Sequence, residues 1–350
     1  MAYKKGKGKM ARFKKLEPAV TTMTFTVNVQ HATTQDLFID LSQCASLLNR
    51  RFYRQGINWA VSGIKFLSQP GTLGNPLNGS ITVEKLPETW VMSNAWEKGF
   101  RTWQKMNDEA LAETESIRPR FLDYKIYADS AHHALGFVGN LLPINSLGTV
   151  LPGEWESSKM VIPKTDGTDD VFSREIIAVG ASYPGASPVT TLNALSLIEG
   201  YAASRGLPNV LDPNAPADAA DVNSNAPENW MAATFNEGTD QDDAVLTDMI
   251  SENNIAPYPF ENDGVSVDTM YPNGANQITG LQIHDFELVT GTTIGGTTRI
   301  KGGMFPCGLI GLRLQNNNTT PQEGSLTHTF TIDLVPGSHR GYLCEPMTDM

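Results

Sequence analysis

The stretch TMTFTVNV, residues 22–29, alternates polar and apolar side chains at every second position. A period of two is typical of a β-strand that has one face in a core and the other in solvent. The same alternation returns near the end of the chain as THTFTIDL, residues 327–334. Matching first and last strands favour a fold in which the two ends of the chain pair side by side within one sheet.

Further strand-like runs lie between these two, separated by loops rich in Gly, Pro, Asn and Thr. Together with the two ends they make about nine strands, whose dispersed spacing is typical of a β-sandwich or jelly roll rather than of alternating βα units. The sequence therefore predicts an all-β fold with long interstrand loops. The predicted internal strands are residues 58–67, 80–86, 120–127, 159–163, 176–179, 278–288 and 308–314.

Three segments place apolar side chains at helical spacing, which predicts a few short helices within the β fold. The second of them carries an aromatic stripe, Trp96, Phe100 and Trp103, which we interpret as core packing rather than a ligand platform. The predicted helices are residues 36–50, a segment capped by Ser93 or Asn94, and residues 192–203.

The first fifteen residues, MAYKKGKGKMARFKK, carry seven Lys or Arg and no acid. The whole chain of 350 residues has a net charge of −12, so the remainder, with 19 bases against 38 acids, carries −19. Such asymmetry indicates a charged tail whose function is separate from that of the fold. We predict a disordered basic arm over residues 1–16 and a single folded domain over residues 17–350.

Residues 206–298 contain fifteen Asp or Glu and no Lys or Arg. This composition predicts a long, acidic, loop-rich insertion around residues 206–276. Two interpretations stay open: a surface that faces away from nucleic acid, or simply a solvated face.

Composition also excludes several classes of protein. No run of eighteen apolar residues occurs, so membrane insertion is not expected. The basic start is not followed by an apolar region, so it does not read as a secretory signal. Cys44, Cys307 and Cys344 are too few and too scattered for a disulfide framework or a zinc site. We expect these cysteines to be small buried apolar residues of a protein in a reducing compartment.

Catalytic and metal-binding motifs are nearly absent, and we predict no enzyme activity, no catalytic residues, no metal site and no cofactor. Glu154 and Glu156 would share one strand face as a glycosidase pair, yet an exposed pair of this spacing is more often only solvated. Residues 166–170 and 240–243 lack the spacing of a calcium loop, and hard-cation binding at a subunit junction stays open as an alternative for them. His132 and His133 would face opposite ways on a strand, which is unfavourable for joint metal ligation.

The basic arm is the strongest functional signal. Its cations can neutralise phosphates and release counterions, an attraction that does not depend on base sequence, while Tyr3 and Phe13 could stack on bases. A solubilising tail and a nuclear-import signal are the alternatives, and the latter is compatible with nucleic-acid binding. The predicted nucleic-acid-binding residues of the arm are Lys4, Lys5, Lys7, Lys9, Arg12, Lys14 and Lys15.

A second basic cluster follows the first predicted helix, in the run NRRFYRQ of residues 49–55. Arg50, Arg51 and Arg54 surround two aromatic residues there. They either line the same nucleic-acid face as the arm or favourably end the helix, since cations are stabilising at a helix C-terminus.

Two quoted stretches carry a family resemblance. DLSQ at residues 40–43 followed by LNRRFYRQGINWAV at residues 48–61 is similar to the early region of capsid proteins from small circular Rep-encoding single-stranded DNA viruses, circovirus-like in the broad sense. The ending, TFTIDLVPGSHRGYL at residues 329–343, resembles the same group. These are patterns of packing and surface, not catalytic signatures.

The resemblance implies a single viral jelly roll of two four-stranded antiparallel sheets. It also implies sixty copies of this chain in an icosahedral T=1 shell, with the arm facing a packaged single-stranded DNA genome, so that the partners would be the chain itself, that DNA and a host receptor. The expected locations are the virion and, during assembly, the host nucleus. Circovirus arms are longer and rich in Arg, whereas this one is short and rich in Lys. Two alternatives stay open: a jelly-roll carbohydrate-binding protein or glycoside-active enzyme, and a non-viral nucleic-acid-binding protein with a basic tail.

Overall fold

A computed structural model of the chain describes residues 18–71, 75–112, 116, 123–162, 172–182, 194–205, 230–231, 280–291, 296–319 and 324–349. The helices are α1 Leu41–Asn49, α2 Trp90–Ala112, α3 Ser130–Leu135 and α4 Leu197–Arg205. The strands are β1 Thr22–Val29, β2 Thr34–Asp40, β3 Ile57–Pro70, β4 Asn78–Lys85, β5 Ile144–Asn145, β6 Gly148–Thr149, β7 Lys159–Ile162, β8 Phe172–Ile177, β9 Ala194–Ser196, β10 Gln282–Thr290, β11 Thr297–Phe305, β12 Leu309–Asn316, β13 Leu326–Leu334, β14 Pro336–Gly337, β15 Gly341–Tyr342 and β16 Cys344–Pro346.

Eight long strands form two antiparallel sheets that pack as a jelly roll. The first sheet has the order β1-β13-β3-β11, and the short strand β16 also pairs with β3. The second sheet has the order β10-β4-β12-β2. Along the chain the long strands alternate between the two sheets, except that β4 and β10 both belong to the second sheet. This alternation is that of the double-sheet jelly roll. The predicted fold class, an all-β single jelly roll with two four-stranded sheets and a few short helices, is confirmed, with β16 as an addition.

The first and last long strands pair along their whole length, as their matching sequences predict. Phe25 of β1 lies opposite Phe330 of β13, and Thr24 lies opposite Thr331. The aromatic rings of Phe25 and Phe330 stack at 5.1 Å, and that of Phe66 on β3 stacks on Phe330 at 4.6 Å. Apolar side chains at every second position thus form the inner face of the first sheet.

The connection from β4 to β10, residues 86–281, holds a second structured region. It contains α2, α3, α4 and a small sheet of order β7-β8-β9, in which β8 and β9 run parallel. Its core is separate from the core between the jelly-roll sheets and includes Trp96, Trp103 and Tyr124. The ring of Phe100 stacks on Trp96 at 5.2 Å, which confirms the aromatic stripe as core packing.

Several predicted elements differ from those observed. Residues 36–40 are strand rather than helix, because they pair with β12 and α1 begins only after Asp40. Residues 194–196 likewise form a strand before α4. The predicted strands at residues 159–163 and 176–179 correspond to β7 and β8, which belong to the small sheet and not to the sandwich.

Three further differences concern helix starts and missed elements. Helix α2 begins at Trp90, before the predicted caps. Strand β11 occupies a glycine-rich run that was not predicted as strand. Gly302 and Gly303 fit into this strand because a side chain at either position would collide with neighbouring groups. Residues 123–126 are not strand, and residues 120–122 lie outside the described residues. The acidic insertion around residues 206–276 also lies outside them, except for Trp230 and Met231, which are buried in the core of the β4–β10 connection.

The two ends of the sandwich differ in what they carry. At one end lie the start of β1, the end of β13 and the start of β3, because Thr22 lies opposite Asp333 and Leu334 opposite Val61. Helix α1 joins β2 to β3 at this end, which we call the α1 end, and the long β4–β10 connection leaves from it. The opposite end has the four shorter connections, residues 30–33, 71–77, 291–296 and 317–325.

Candidate nucleic-acid interface

The described chain enters the fold at the α1 end, where a small hydrogen-bond network holds its first residues. The backbone N–H of Val20 donates to Asn49 Oδ1 at 2.9 Å. The Tyr342 hydroxyl donates to the carbonyl of Val20 at 2.6 Å and accepts from Asn49 Nδ2 at 2.7 Å. The predicted arm residues Lys4 to Lys15 lie outside the described residues, but the point from which they extend is fixed beside the last residue of α1.

The three predicted arginines follow immediately. Arg50 ends α1 in the left-handed conformation, at φ 53° and ψ 39°. Arg50, Arg51 and Arg54 are all exposed. The guanidinium carbon of Arg54 lies 5.9 Å from the centre of the Phe52 ring, within the range of a cation–π contact. The fold therefore brings these arginines next to the point where the basic arm begins, while Arg50 also stands at the helix C-terminus.

A fourth arginine joins them that the sequence reasoning did not select. Arg340 lies in the turn between β14 and β15 and has a positive φ of 50°. Its Nη1 donates to the carbonyl of Phe52, and its own carbonyl accepts from the Tyr53 hydroxyl at 3.0 Å. Only the pairing of the chain ends reveals this contact, since 288 positions separate Arg340 from Phe52. We call Arg50, Arg51, Arg54 and Arg340 the arginine cluster.

Lys125 also lies near the Phe52 ring, and sequence reasoning missed it as well. Its Nζ is 5.9 Å from the centre of that ring, 4.5 Å from the Trp155 ring and 3.7 Å from Asp123 Oδ2. Burial raises the pKa of Asp123, and the charges of Lys125 and Arg54 oppose this rise. The buried carboxylate of Asp123 therefore offsets part of the positive potential of Lys125 and Arg54.

A buried polar network positions α1 and with it the arginine cluster. Asp40 caps the helix, since its Oδ1 accepts from the backbone N–H groups of Ser42 and Gln43 at 2.8 and 3.2 Å. Its Oδ2 accepts from Gln55 Nε2 at 3.1 Å and from Trp155 Nε1 at 2.9 Å. Burial raises the pKa of Asp40 to about 6, and these four hydrogen bonds oppose the rise. The carboxylate ties both ends of the β2–β3 connection to the β4–β10 connection.

The residues weighed for catalysis do not converge. Glu154 and Glu156 are exposed and lie outside any strand, so the expected shared strand face is wrong. Residues 166–170 and 240–243 lie outside the described residues. Among the described residues no cluster of three or more His, Cys, Asp or Glu is placed to hold a metal ion.

The two adjacent histidines stand on helix α3, not on a strand as expected, and each has its own partner. His132 Nδ1 accepts from the Ala128 N–H, so its Nε2 carries the proton and donates to Asn140 Oδ1 at 2.8 Å. Burial lowers the pKa of His132 to about 4. His133 Nε2 lies 2.6 Å from Glu175 Oε2. Both rings therefore hold the β4–β10 connection together.

The described residues also bear on two smaller predictions. Cys44, Cys307 and Cys344 are all free thiols, and the first two are buried. No helix among the described segments is both long and apolar enough to cross a membrane.

Comparison with known proteins identifies no relative. No family model, no curated protein and no solved structure matches this chain. The functional assignment therefore depends on the geometry of the chain and on the resemblance carried by residues 40–61 and 329–343.

Proposed function

We propose that this chain is the coat protein of a small single-stranded DNA virus, and that copies of it assemble into a closed icosahedral shell around the genome. In this proposal the basic arm, residues 1–16, extends from the inner side of the shell and neutralises phosphates of the packaged DNA. The virion and the host nucleus are the corresponding locations. The proposal is for a structural and binding role, without catalysis.

One observation carries the proposal. The first described residues are fixed against Asn49, so the arm begins beside the arginine cluster at one end of a jelly roll. A polycationic arm and a set of folded arginines at the same place can bind one polyanion together, and their contacts to phosphate are independent of base sequence. The acidic remainder of the chain, at −19, would repel nucleic acid elsewhere and so confine it to this side.

Exposed apolar side chains support the self-assembly part of the proposal. Ile283, Phe286 and Leu288 on the sheet-edge strand β10 are 61%, 53% and 57% exposed. A second group in the β4–β10 connection, Val138 and Leu147, is 86% and 95% exposed. Exposed apolar residues that lie close together, as on β10, mark interaction sites. We assign this group, and with it Val138 and Leu147, to contacts with neighbouring copies of this chain.

Expression of the chain followed by negative-stain electron microscopy tests the assembly. We expect uniform closed shells, because each subunit can contact several neighbours through these surfaces. Monodisperse monomers over a wide range of concentration and salt would contradict the proposal.

The role of the arm is tested in the assembled shells. Replacing all seven Lys and Arg of residues 4–15 by Gln should leave shells intact and lower their ratio of nucleic-acid to protein absorbance. A control arm with the same fifteen residues in shuffled order should package as well as the original, because counterion release does not depend on sequence. An unchanged nucleic-acid content in the Gln variant would show that the arm is not the packaging element.

A further inference from the structure

The outer face of the first sheet has an unusual composition for such an acidic chain. Strands β1, β13, β3 and β11 turn every second side chain away from the core, and most of these side chains are hydroxyls or cations. The carboxylate of Asp333, at the α1 end, is the only one that these four strands turn outward. The outward residues are Thr22, Thr24, Thr26, Asn28, Thr327, Thr329, Thr331, Asp333, Lys65, Leu67, Gln69, Thr297, Arg299 and Lys301.

Three cations form a compact group on this face. Arg299 on β11 lies directly opposite Lys65 on β3, and Lys301 follows two positions along β11. Neighbouring strands lie about 4.8 Å apart and residues two positions apart lie about 6.6 Å apart, so the three charges share one small area. All three side chains are exposed. We call these residues the basic sheet patch.

The charges of this patch are poorly balanced within the fold. Lys301 Nζ lies 3.7 Å from Asp285 Oδ1 on β10, and its backbone N–H donates to the other oxygen of that carboxylate at 3.2 Å. Within the described part of the chain, Lys65 and Arg299 have no carboxylate within 4.0 Å. Like charges directly opposite on adjacent strands are destabilising. The arrangement is unfavourable for the free subunit and becomes favourable when an anion bridges the two side chains.

The neighbours of the patch are suited to phosphate oxygens. Thr331 on β13 lies opposite Lys65, and Thr24 on β1 lies opposite Thr331, so hydroxyls extend the row across the sheet. Thr26 and Thr329 pair in the same way, with their hydroxyl oxygens 3.3 Å apart. Lys, Arg and Thr side chains are among the groups that contact nucleic-acid phosphate and sugar.

We infer that the basic sheet patch is a second nucleic-acid-binding surface, on which Lys65 and Arg299 hold the phosphate backbone of a single strand. This inference extends the proposed packaging function, because it assigns part of the genome contact to the folded domain rather than to the arm. The β-strand β1 belongs to this sheet and begins two residues after Val20. Single-stranded DNA that is bound by the arm can therefore continue onto the outer face of the same sheet. That continuity favours single-stranded DNA over a sulfated polysaccharide as the polyanion.

The test uses full-length subunits that are dilute enough to stay unassembled, with a fluorescent oligothymidylate as the probe. Anisotropy titrations between about 50 and 200 mM salt give the slope of log affinity against log salt. For Lys65→Gln/Arg299→Gln we expect the slope to fall by about 1.4, which corresponds to two phosphate contacts on a single strand. The matched control, Lys105→Gln/Lys159→Gln, removes two cations from the β4–β10 connection and should leave the slope unchanged.

A second variant protects the test against loss of the fold. Thr331→Glu keeps every cation but places a carboxylate beside Lys65, and it should lower the slope as well. Thermal unfolding should show a midpoint for both variants no lower than that of the original chain. If both variants fold and keep the original slope, the inference is overturned. It is also overturned if they lose affinity for heparin while their affinity for the oligonucleotide is unchanged.

These outcomes are separable from those of the proposed function. If shells form and the arm variant lowers packaging while the patch variants bind normally, only the patch is wrong. If no shells form and the arm variant binds as tightly as the original chain, the proposed function is wrong whatever the patch does.

Discussion

The two sheets of the jelly roll have similar inner faces and dissimilar outer faces. Inside, both present apolar side chains at every second position to one core. Outside, the first sheet presents threonines and the basic sheet patch, whereas the second pairs its charges and ends in an apolar edge strand. Since the inner faces are fixed by the fold, we relate the difference outside to the two partners proposed above: a polyanion for the first sheet and a copy of the chain for the second.

The outer face of the second sheet supports this contrast in detail. Arg313 on β12 lies 2.7 Å from Asp36 Oδ1 on β2 and 3.7 Å from Glu84 Oε1 on β4. Hydrogen bonding to Asp36 raises the pKa of Arg313. The apolar residues Phe286 and Leu288 lie on the edge strand β10, beside this network. Arg313 is thus paired with two carboxylates of its own subunit, which is compatible with the proposed burial of this surface against a neighbouring copy.

The largest expected effect follows from placing a charge on the apolar edge. Phe286→Asp should abolish shell formation, because a carboxylate buried in each of many repeated contacts costs more than those weak contacts supply. Size-exclusion chromatography with light scattering should then show monomers with an unchanged thermal midpoint. Oligonucleotide binding by these monomers should equal that of the unassembled original chain.

The matched control for this substitution lies on the other sheet. Leu67 is also apolar and exposed, at 38%, but it stands on the outer face of the first sheet between Thr297 and Thr329. Leu67→Asp should leave shell formation intact and lower nucleic-acid content. Loss of shells in both variants, or in neither, would remove the distinction between the two faces.

A second prediction concerns the inner face of the first sheet, where one polar ring is enclosed. His328 is fully buried on β13, with Nδ1 2.8 Å from Ser68 Oγ and no partner for Nε2 among the described residues. Burial lowers its pKa from 6.5 to about 4. The folded state thus holds His328 neutral while the unfolded chain binds a proton, so stability is complete above pH 6.5 and is lost as pH falls towards 4.

The expected size of this loss is about 3 kcal/mol, since each pKa unit corresponds to about 1.4 kcal/mol. His328→Gln should remove that part of the acid sensitivity, measured as the difference in unfolding free energy between pH 7.5 and pH 4.5 in urea titrations. Asp40, whose raised pKa acts in the opposite direction, and His132 are present in both proteins and cancel in the comparison. Equal pH dependence for the two proteins would show that His328 is protonated without cost.

The fold was largely accessible from the sequence because the strands that define it are half-buried. TFTV at residues 24–27 and TFTI at residues 329–332 show the period of two, and the structure pairs them. Strand β2 was missed because Leu37, Phe38 and Ile39 continue without a break into the apolar stripe of α1. The whole run was therefore predicted as one helix. Strand β11 was missed because glycines replace the apolar positions towards its end.

The candidate site was accessible only in part. Arg50, Arg51 and Arg54 form a visible run, whereas Arg340 joins them only through the pairing of the chain ends. The basic sheet patch could not be predicted, because Lys65 and Arg299 are isolated cations more than two hundred positions apart and only the register of β3 and β11 places them opposite each other. Surfaces built across strands require knowledge of the register, which local sequence does not supply.

The smallest expected effects test the charge balance of the two outer faces directly. Asp36→Asn removes the partner of Arg313 and should destabilise the chain by about 0.5 kcal/mol, as is typical of an exposed ion pair. Lys65→Gln relieves a like-charge pair and should stabilise the free subunit by about the same amount. Both shifts should shrink at high salt, because exposed charges are screened. Urea unfolding of the two variants at low and high salt measures the change in the free energy of unfolding and its sign. A destabilising Lys65→Gln would mean that this lysine serves the fold itself, and the first sheet would then need no external anion to explain its charges.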